Sequence, residues 1–163
     1  MKSSLDSGIV PEDWKLANVT PVFKKGSRNQ AENYRPVSLT SQICKIFEMI
    51  MRDALVNHLE TNELITSSQH GFRKGGSCLN NLLMFLDSVT SSLDNHDNVD
   101  VNYLDFAKAF DKVPHVRLLE KITSHGIEGK VWVWLKEWLY GRKQRVCING
   151  CRSDWEDVTS GVP

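Results

Sequence analysis

The sequence has 163 residues, of which 40% are hydrophobic and 25% are charged, and its 20 basic side chains are matched by 20 acidic ones. This composition is typical of a soluble globular protein and excludes a chain that is mostly disordered. A formal net charge of zero argues against a protein that holds nucleic acid mainly through bulk charge, so such binding would need local basic patches. No apolar run approaches the ~20 residues that cross a bilayer, so we expect no membrane partner.

The cysteines show no paired spacing of the kind that binds structural zinc, and they are Cys44, Cys78, Cys147 and Cys151. We interpret them as free thiols, which are typical of a reducing compartment. The N-terminal segment has no hydrophobic signal core. The sequence therefore predicts an intracellular protein, in the nucleus or the cytoplasm, that is not secreted.

Two runs near the N-terminus indicate a β-hairpin. Residues 17–23 are β-branched and aromatic, and residues 34–39 read as a returning strand after a polar loop. Pro36 cannot donate to a sheet ladder, so the second strand should lie at an edge or begin near this residue. The hairpin would present three basic side chains on one arm, namely Lys24, Lys25 and Arg35.

Apolar side chains at three- and four-residue spacing predict two amphipathic helices in the first hundred residues. One runs from residue 41 to about residue 60, and the other begins after Ser77, which is placed to cap it. Residues 69–77 between them form a glycine-rich basic loop.

An apolar and aromatic run, residues 99–106, predicts a strand that delivers one carboxylate, Asp105, to the edge of a sheet. Pro114 forces a turn, after which helices are expected over residues 116–125 and 129–140, each ended by a glycine. Two strand-like runs close the chain, at residues 144–149 and 155–158. This mixture of helices and short strands predicts an α+β fold.

Five blocks of sequence occur in one order, at residues 14–25, 33–39, 69–75, 103–111 and 160–163. Together they resemble the reverse transcriptase domain of non-LTR, LINE-like retrotransposons of the jockey type. The resemblance implies a fragment of a right-hand polymerase, with helical fingers and a β-hairpin in residues 1–98 and a partial palm in residues 99–163. It implies an RNA-directed DNA polymerase whose partners in the intact protein are an RNA template, a DNA primer and a dNTP, with no small-molecule cofactor.

In this family the first palm aspartate binds both ions of a two-metal nucleotidyl transfer, and by position that residue is Asp105. Oxygen ligands suit Mg²⁺, which would lower the pKa of the primer 3′-hydroxyl and neutralise charge on the triphosphate. The resemblance places the backbone carbonyl of Phe106 beside the same ion. Asp111 lies where the family uses no metal ligand, and we interpret it as structural.

The resemblance also implies residues that bind the nucleotide. Phe110 matches an aromatic steric gate under the sugar, although a core aromatic is the alternative. Arg35 matches the arginine that grips the triphosphate, helped by Lys24 or Lys25, between which the sequence does not choose; a solvated hairpin turn is the alternative for the lysines.

Four basic residues are candidates for binding nucleic acid. Arg73 and Lys74 lie in the glycine-rich loop, where backbone can approach a phosphate. Arg142 and Arg145 could follow the primer or template backbone, although a solvent-facing strand edge would explain them nearly as well.

The family pattern needs a further aromatic-x-Asp-Asp hairpin, and the chain contains no Asp-Asp dipeptide. One carboxylate does not hold two metal ions, so we expect this polypeptide alone to be inactive as a polymerase. One alternative is a non-catalytic nucleic-acid-binding or relic fragment of a mobile element. A weaker one is a metal-dependent hydrolase that uses Asp105, Asp111 and His115.

Overall fold

The computed structural model describes residues 1–73 and 75–162. Its strands are β1 (Leu16–Phe23), β2 (Tyr34–Leu39), β3 (Lys143–Ile148), β4 (Cys151–Arg152) and β5 (Glu156–Asp157). Its α-helices are α1 (Lys2–Ser7), α2 (Gln42–Thr61), α3 (Cys78–Asp94), α4 (His115–Ser124) and α5 (Gly129–Leu139), and short 3₁₀ turns span Glu12–Trp14 and Ala31–Asn33. The predicted α+β fold is confirmed.

The five strands form one mixed sheet. β1 pairs antiparallel with β2, from Asn18 opposite Leu39 to Phe23 opposite Tyr34. On its other side β1 pairs in parallel with β3, and β3 pairs antiparallel with both β4 and β5. β2 is an edge strand, which agrees with the position predicted for Pro36, because an edge tolerates a residue that cannot donate a hydrogen bond.

The helices begin and end where local chemistry indicates. The Ser77 hydroxyl accepts a hydrogen bond from the Asn80 backbone N–H at 3.0 Å, which confirms the predicted cap of α3. Pro114 precedes α4, and Gly126 follows its end in the left-handed region at φ +76°. Within the described residues, no helix combines the length and the hydropathy that crossing a membrane requires.

The chain divides into two compact units. The first, which we call the core unit, consists of residues 1–55 and 108–163, and the second, the inserted unit, consists of residues 56–107. The predicted fingers and palm regions describe function rather than compactness, so their boundaries stay a prediction.

An aromatic cluster forms the centre of the core unit. Trp134 of α5 is 1% exposed, and its ring centroid lies 4.8 Å from that of Phe47 of α2 in an edge-on arrangement. Trp14 contacts the other side of Phe47 at 5.9 Å. The Trp134 indole N–H donates to the Ser4 hydroxyl at 3.0 Å, so the polar atom of this buried ring is also satisfied.

The predicted strand over residues 99–106 was wrong. This segment has no regular secondary structure, and all of its side chains are exposed. An alternating apolar pattern stabilises a strand only when a neighbouring strand accepts and donates its backbone hydrogen bonds. The described residues provide no such neighbour for this segment.

Candidate functional site

The acidic segment predicted to carry catalysis lies in the inserted unit. Asp105 and Phe106 are both exposed, and Phe106 retains 80% of its accessible surface. In the same segment the Tyr103 ring centroid lies 6.2 Å from that of Phe85 in α3. Asp105 is thus accessible to an ion.

A metal centre needs several ligands that converge. Across residues 1–73 and 75–162, no three acidic, histidine or cysteine side chains are arranged so that they could hold an ion together. Asp105 alone does not fit a two-ion site, because each ion would lack most of its protein ligands. The predicted metal roles of Asp105 and the Phe106 carbonyl therefore stay predictions. The weaker hydrolase alternative gains no support, since His115 is buried and bonded elsewhere.

A second segment, residues 108–114, belongs to the core unit and carries the predicted steric gate. Phe110 is 59% exposed, and its backbone carbonyl accepts a hydrogen bond from the Val162 N–H at 3.0 Å. The Gly161 N–H donates to the Val113 carbonyl at 2.9 Å, and the Ser160 hydroxyl donates to the Asp111 carbonyl at 3.1 Å. Residues 160–162 thus fix the backbone beneath Phe110.

Two features make this attachment specific. The buried ring of His115 donates from Nε2 to the Gly161 carbonyl at 2.8 Å and packs edge-on against Tyr140. Gly161 has φ +86°, and a Cβ at this position would lie 2.7 Å from the Asp111 carbonyl oxygen. Only glycine allows so close an approach of the two backbones.

The β1–β2 hairpin carries the predicted triphosphate contacts. Lys24 and Lys25 follow β1 in an exposed turn, and Arg35 lies in β2 opposite Val22. The turn is tied by the Lys24 N–H, which donates to the Asn33 carbonyl at 2.9 Å. The hairpin was predicted correctly, and it places the three basic residues on one arm, whereas their binding roles stay predictions.

The glycine-rich loop of the inserted unit is partly self-bonded. The Arg73 guanidinium donates to the Thr66 carbonyl at 3.2 Å, which leaves other donors of this half-buried side chain for a ligand. Gly76 approaches the His70 carbonyl so closely that a Cβ would clash with it. Lys74, the other candidate in this loop, lies outside the described residues.

Arg142 and Arg145 are not the equivalent surface residues that the sequence suggested. Arg142 is only 4% exposed, so the alternative of a solvent-facing strand edge is wrong for this residue. Its guanidinium lies over the Trp138 ring at 5.3 Å. Arg145 is half-buried, stacks over Trp155 at 4.3 Å, and donates from Nε to the Asn18 amide oxygen at 2.8 Å.

Both arginines line a cavity of about 490 Å³ in the core unit. β1 and β2 contribute Ala17, Val19, Pro36 and Ser38 to its lining. β3 and residues 156–162 also line the cavity, as do Lys108 and Asp111. Arg35 does not line this cavity, which agrees with alternation along β2, since Pro36 and Ser38 lie on the same face of the strand.

A partly buried polar cluster lies near Arg142. The Glu48 carboxylate accepts hydrogen bonds from the Cys44 thiol at 3.1 Å and from the Trp138 indole N–H at 2.8 Å. Burial, and then the bond to Glu48 and its charge, raise the pKa of Cys44 to about 12. Burial also lowers the pKa of Arg142, while the charges of Glu48 and Cys44 oppose that shift.

Sequence reasoning missed this cluster and the cavity. The four-residue spacing of Trp138 and Arg142 is not a helical signal, because α5 ends at Leu139 and Arg142 lies beyond it. Nothing local to β2 indicated that Ser38 would line a cavity together with Arg142.

Comparison with known proteins gives the following matches. Residues 22–163 match the family described as Reverse transcriptase (RNA-dependent DNA polymerase). The chain is 29% identical over 154 residues to a probable RNA-directed DNA polymerase from transposon X-element of Drosophila melanogaster, covering 94% of this chain and 17% of that protein. It is 28% identical over 162 residues to the RNA-directed DNA polymerase from mobile element jockey of the same species, covering 99% and 18%.

A more distant match is a retrovirus-related Pol polyprotein from type-1 retrotransposable element R2 of Popillia japonica. It is 26% identical over 121 residues, covering 74% of this chain and 16% of that protein. The chain thus spans about a sixth of the length of these relatives.

Proposed function

The chain belongs to the reverse transcriptase (RNA-dependent DNA polymerase) family, and from that premise we propose that it is part of a non-LTR retrotransposon enzyme that copies RNA into DNA. The observation that carries this proposal is the family match over residues 22–163, together with relatives that are named as such polymerases of mobile elements. The reaction is nucleotidyl transfer, in which the primer 3′-hydroxyl attacks the α-phosphate of a dNTP and pyrophosphate leaves.

We propose Asp105, with the Phe106 carbonyl beside it, as ligands of Mg²⁺ in the intact protein. A magnesium ion supplies charge neutralisation and activates the primer hydroxyl. The described residues provide one carboxylate for this purpose and do not complete the site. For that reason we expect no primer extension by the 163-residue polypeptide alone.

The nucleotide would be bound by the core unit. Lys24, Lys25 and Arg35 lie together on the β1–β2 hairpin, and guanidinium and ammonium groups there suit a triphosphate. Phe110 would act as the steric gate against a 2′-hydroxyl, and the hydrogen bonds from residues 160–162 give it the fixed backbone that such a role requires.

An RNA template and a DNA primer are the proposed macromolecular partners. Arg73 and Lys74 of the glycine-rich loop, and Arg145 of β3, are the proposed contacts to phosphates. Because the formal net charge is zero, these local groups must supply the electrostatic attraction, and affinity should fall steeply with added salt.

A chimera tests the proposed function. This chain replaces the matching segment of the jockey polymerase, and Mg²⁺-dependent primer extension on an RNA template is measured. We expect incorporation that Asp105→Asn reduces below detection. Asp100→Asn is the matched control, since Asp100 is an exposed carboxylate of the same segment and does not line the cavity. Equal activity of the two variants would show that Asp105 is not a catalytic ligand.

A second candidate function is binding of nucleic acid without catalysis. Among the described residues no three metal-binding side chains are grouped together, which favours this function for the polypeptide. Filter binding of single-stranded RNA at low salt, combined with absent primer extension by the same preparation, would support it. Absence of binding at low salt would contradict it.

We also propose an intracellular location, in the nucleus or the cytoplasm. All four cysteines are free thiols, which suits a reducing compartment. Fractionation of cells that express a tagged chain tests this, and recovery from the medium would contradict it.

A further inference from the structure

Arg142 is a buried cation with an unsatisfied hydrogen-bond donor. One of its terminal nitrogens, Nη1, is fully shielded and has no hydrogen-bond partner within the described residues. Among the residues that the structure describes, no ion pair with an N–O distance of 4.0 Å or less involves Arg142. The Trp138 ring below the guanidinium at 5.3 Å provides partial compensation.

Such an arrangement costs free energy unless something completes it. Burying a guanidinium removes its hydration, and an unpaired buried charge is strongly destabilising. Glu48 is the nearest acidic influence on Arg142, but its Oε1 already accepts bonds from Cys44 and Trp138. The guanidinium therefore lies beside a cavity in which an external oxyanion would compensate its charge.

The cavity that Arg142 lines has the size and the donors for such a ligand. Its volume of about 490 Å³ lies within the usual range for ligand pockets. Arg145, which is half-buried, and Lys108, which is exposed, add two further cations, and the Ser38 hydroxyl is an additional donor.

Acidic residues also line the cavity, but they differ from Arg142 in their exposure. Asp111, Glu156 and Asp157 are all exposed, and Asp157 lies 3.7 Å from the Lys143 ammonium. Water screens exposed carboxylates, whereas the charge of the buried Arg142 acts through a medium of low polarity. The part of the cavity beside Arg142 should therefore attract anions.

We propose that the cavity is a phosphate-binding subsite anchored by Arg142, distinct from the triphosphate contacts predicted on the β1–β2 hairpin. The phosphate group belongs to a free nucleotide or to the backbone of a nucleic-acid strand. That choice of source rests on the proposed function, whereas the recognition of phosphate rests on the cavity alone.

The first experiment measures binding of inorganic pyrophosphate to the 163-residue protein by calorimetry. We expect saturable binding that Arg142→Met weakens by at least about tenfold, because a buried charge contact is lost. Lys143→Met is the matched control, since Lys143 is the adjacent cation, is exposed and does not line the cavity. Equal affinities of wild type and Arg142→Met, or no binding by the wild type, would overturn the proposal.

A conservative variant guards against loss of folding. Arg142→Lys keeps the charge and removes the planar fork, so we expect it to fold and to bind pyrophosphate more weakly than the wild type does. Binding as tight as that of the wild type would contradict anchoring by the guanidinium.

Competition then identifies the source of the phosphate. A dNTP that displaces pyrophosphate supports a nucleotide subsite, and a single-stranded RNA that displaces it supports a strand subsite. If neither competes while Arg142-dependent pyrophosphate binding persists, the phosphate subsite stands and the proposed function loses this support.

Discussion

The core unit and the inserted unit use the same kinds of residue in opposite ways. Every buried hydrophobic side chain among the described residues lies in residues 1–55 or 108–163, and none lies in residues 56–107. Helix α3 shows the contrast most clearly, because its leucines recur at helical spacing yet remain about half exposed. Helix α5 buries Trp134, Leu135 and Leu139.

The difference teaches that amphipathic spacing specifies a helix but not its burial. An apolar face is buried only when other elements cover it, and α5 has the aromatic rings of Phe47 and Trp14 nearby in its own unit. The inserted unit offers α3 only scattered contacts, such as that between Phe85 and Tyr103. Stability should therefore be distributed very unevenly between the two units.

The largest expected effect tests directly whether stability is distributed unevenly between the core unit and the inserted unit. Trp134→Ala should lower the free energy of unfolding by about 3–5 kcal/mol, because it empties the centre of the aromatic cluster. Leu83→Ala in α3, where the side chain is 55% exposed, should change it by less than about 0.5 kcal/mol. Urea denaturation followed by circular dichroism measures both, and similar losses for the two variants would refute the uneven distribution.

The space around glycine residues also differs between the core unit and the inserted unit. Gly161→Ala should cost about 3 kcal/mol, since its φ is +86° and a Cβ would lie 2.7 Å from the Asp111 carbonyl oxygen. Gly75→Ala is the matched substitution in the inserted unit, with φ +78° but open space around the Cβ, and should cost only about 1 kcal/mol. The same denaturation assay measures the loss in free energy of unfolding for both variants. The ratio of the two losses shows whether the steric contact of the Cβ or the positive φ angle contributes more to the destabilisation.

A smaller effect concerns pH. The pKa of Cys44 rises from 9.0 to about 12 on folding, so above pH 9 the folded state binds more protons than the unfolded state. Its contribution to stability is fully present below pH 9 and is lost as pH rises from 9 towards 12, by at most about 1.4 kcal/mol per pH unit.

The check is denaturation at pH 7 and at pH 10 for wild type and Cys44→Ala. The variant should lose less stability between these pH values than the wild type does. Cys78→Ala, which removes an exposed thiol of α3, is the control and should follow the wild type. A Cys44→Ala profile parallel to the wild type would argue against proton uptake by this thiol.

The smallest effect is expected in the segment that carries Asp105. Leu104 is 88% exposed, so Leu104→Asn should change the free energy of unfolding by less than about 0.5 kcal/mol. The same substitution removes an exposed apolar side chain and should raise the protein concentration at which light scattering first appears. A large loss of stability would show that this segment is packed against other residues.

Local features of this fold could be read from the sequence. The hairpin, four of the five helices and the Ser77 cap were predicted to within a few residues, because turn residues, capping groups and apolar spacing act over a few positions. The edge position of β2 followed from Pro36 in the same way.

Features that depend on residues far apart in the chain could not be predicted from the sequence. The parallel partner of β1 is a strand about 127 residues further along the chain, as the bond between Arg145 and Asn18 shows. Residues of both strands line the cavity, and Arg142, which was expected to be a surface residue, is buried beside it. The strand predicted over residues 99–106 was wrong for a related reason. The apolar pattern of a segment does not show whether a partner strand is present.

The parallel pairing of β1 with β3 also governs how the molecule reaches its folded state. Leu16 to Val19 lie opposite Lys143 to Val146, so during synthesis β1 cannot pair with β3 until the more than one hundred residues between them have been made. Joining ends so far apart closes a long loop, which slows folding and leaves apolar strand residues exposed in the meantime. We therefore expect the sheet to form after the β1–β2 hairpin and the helices, and to be the step at which a nascent chain is most easily diverted into aggregates.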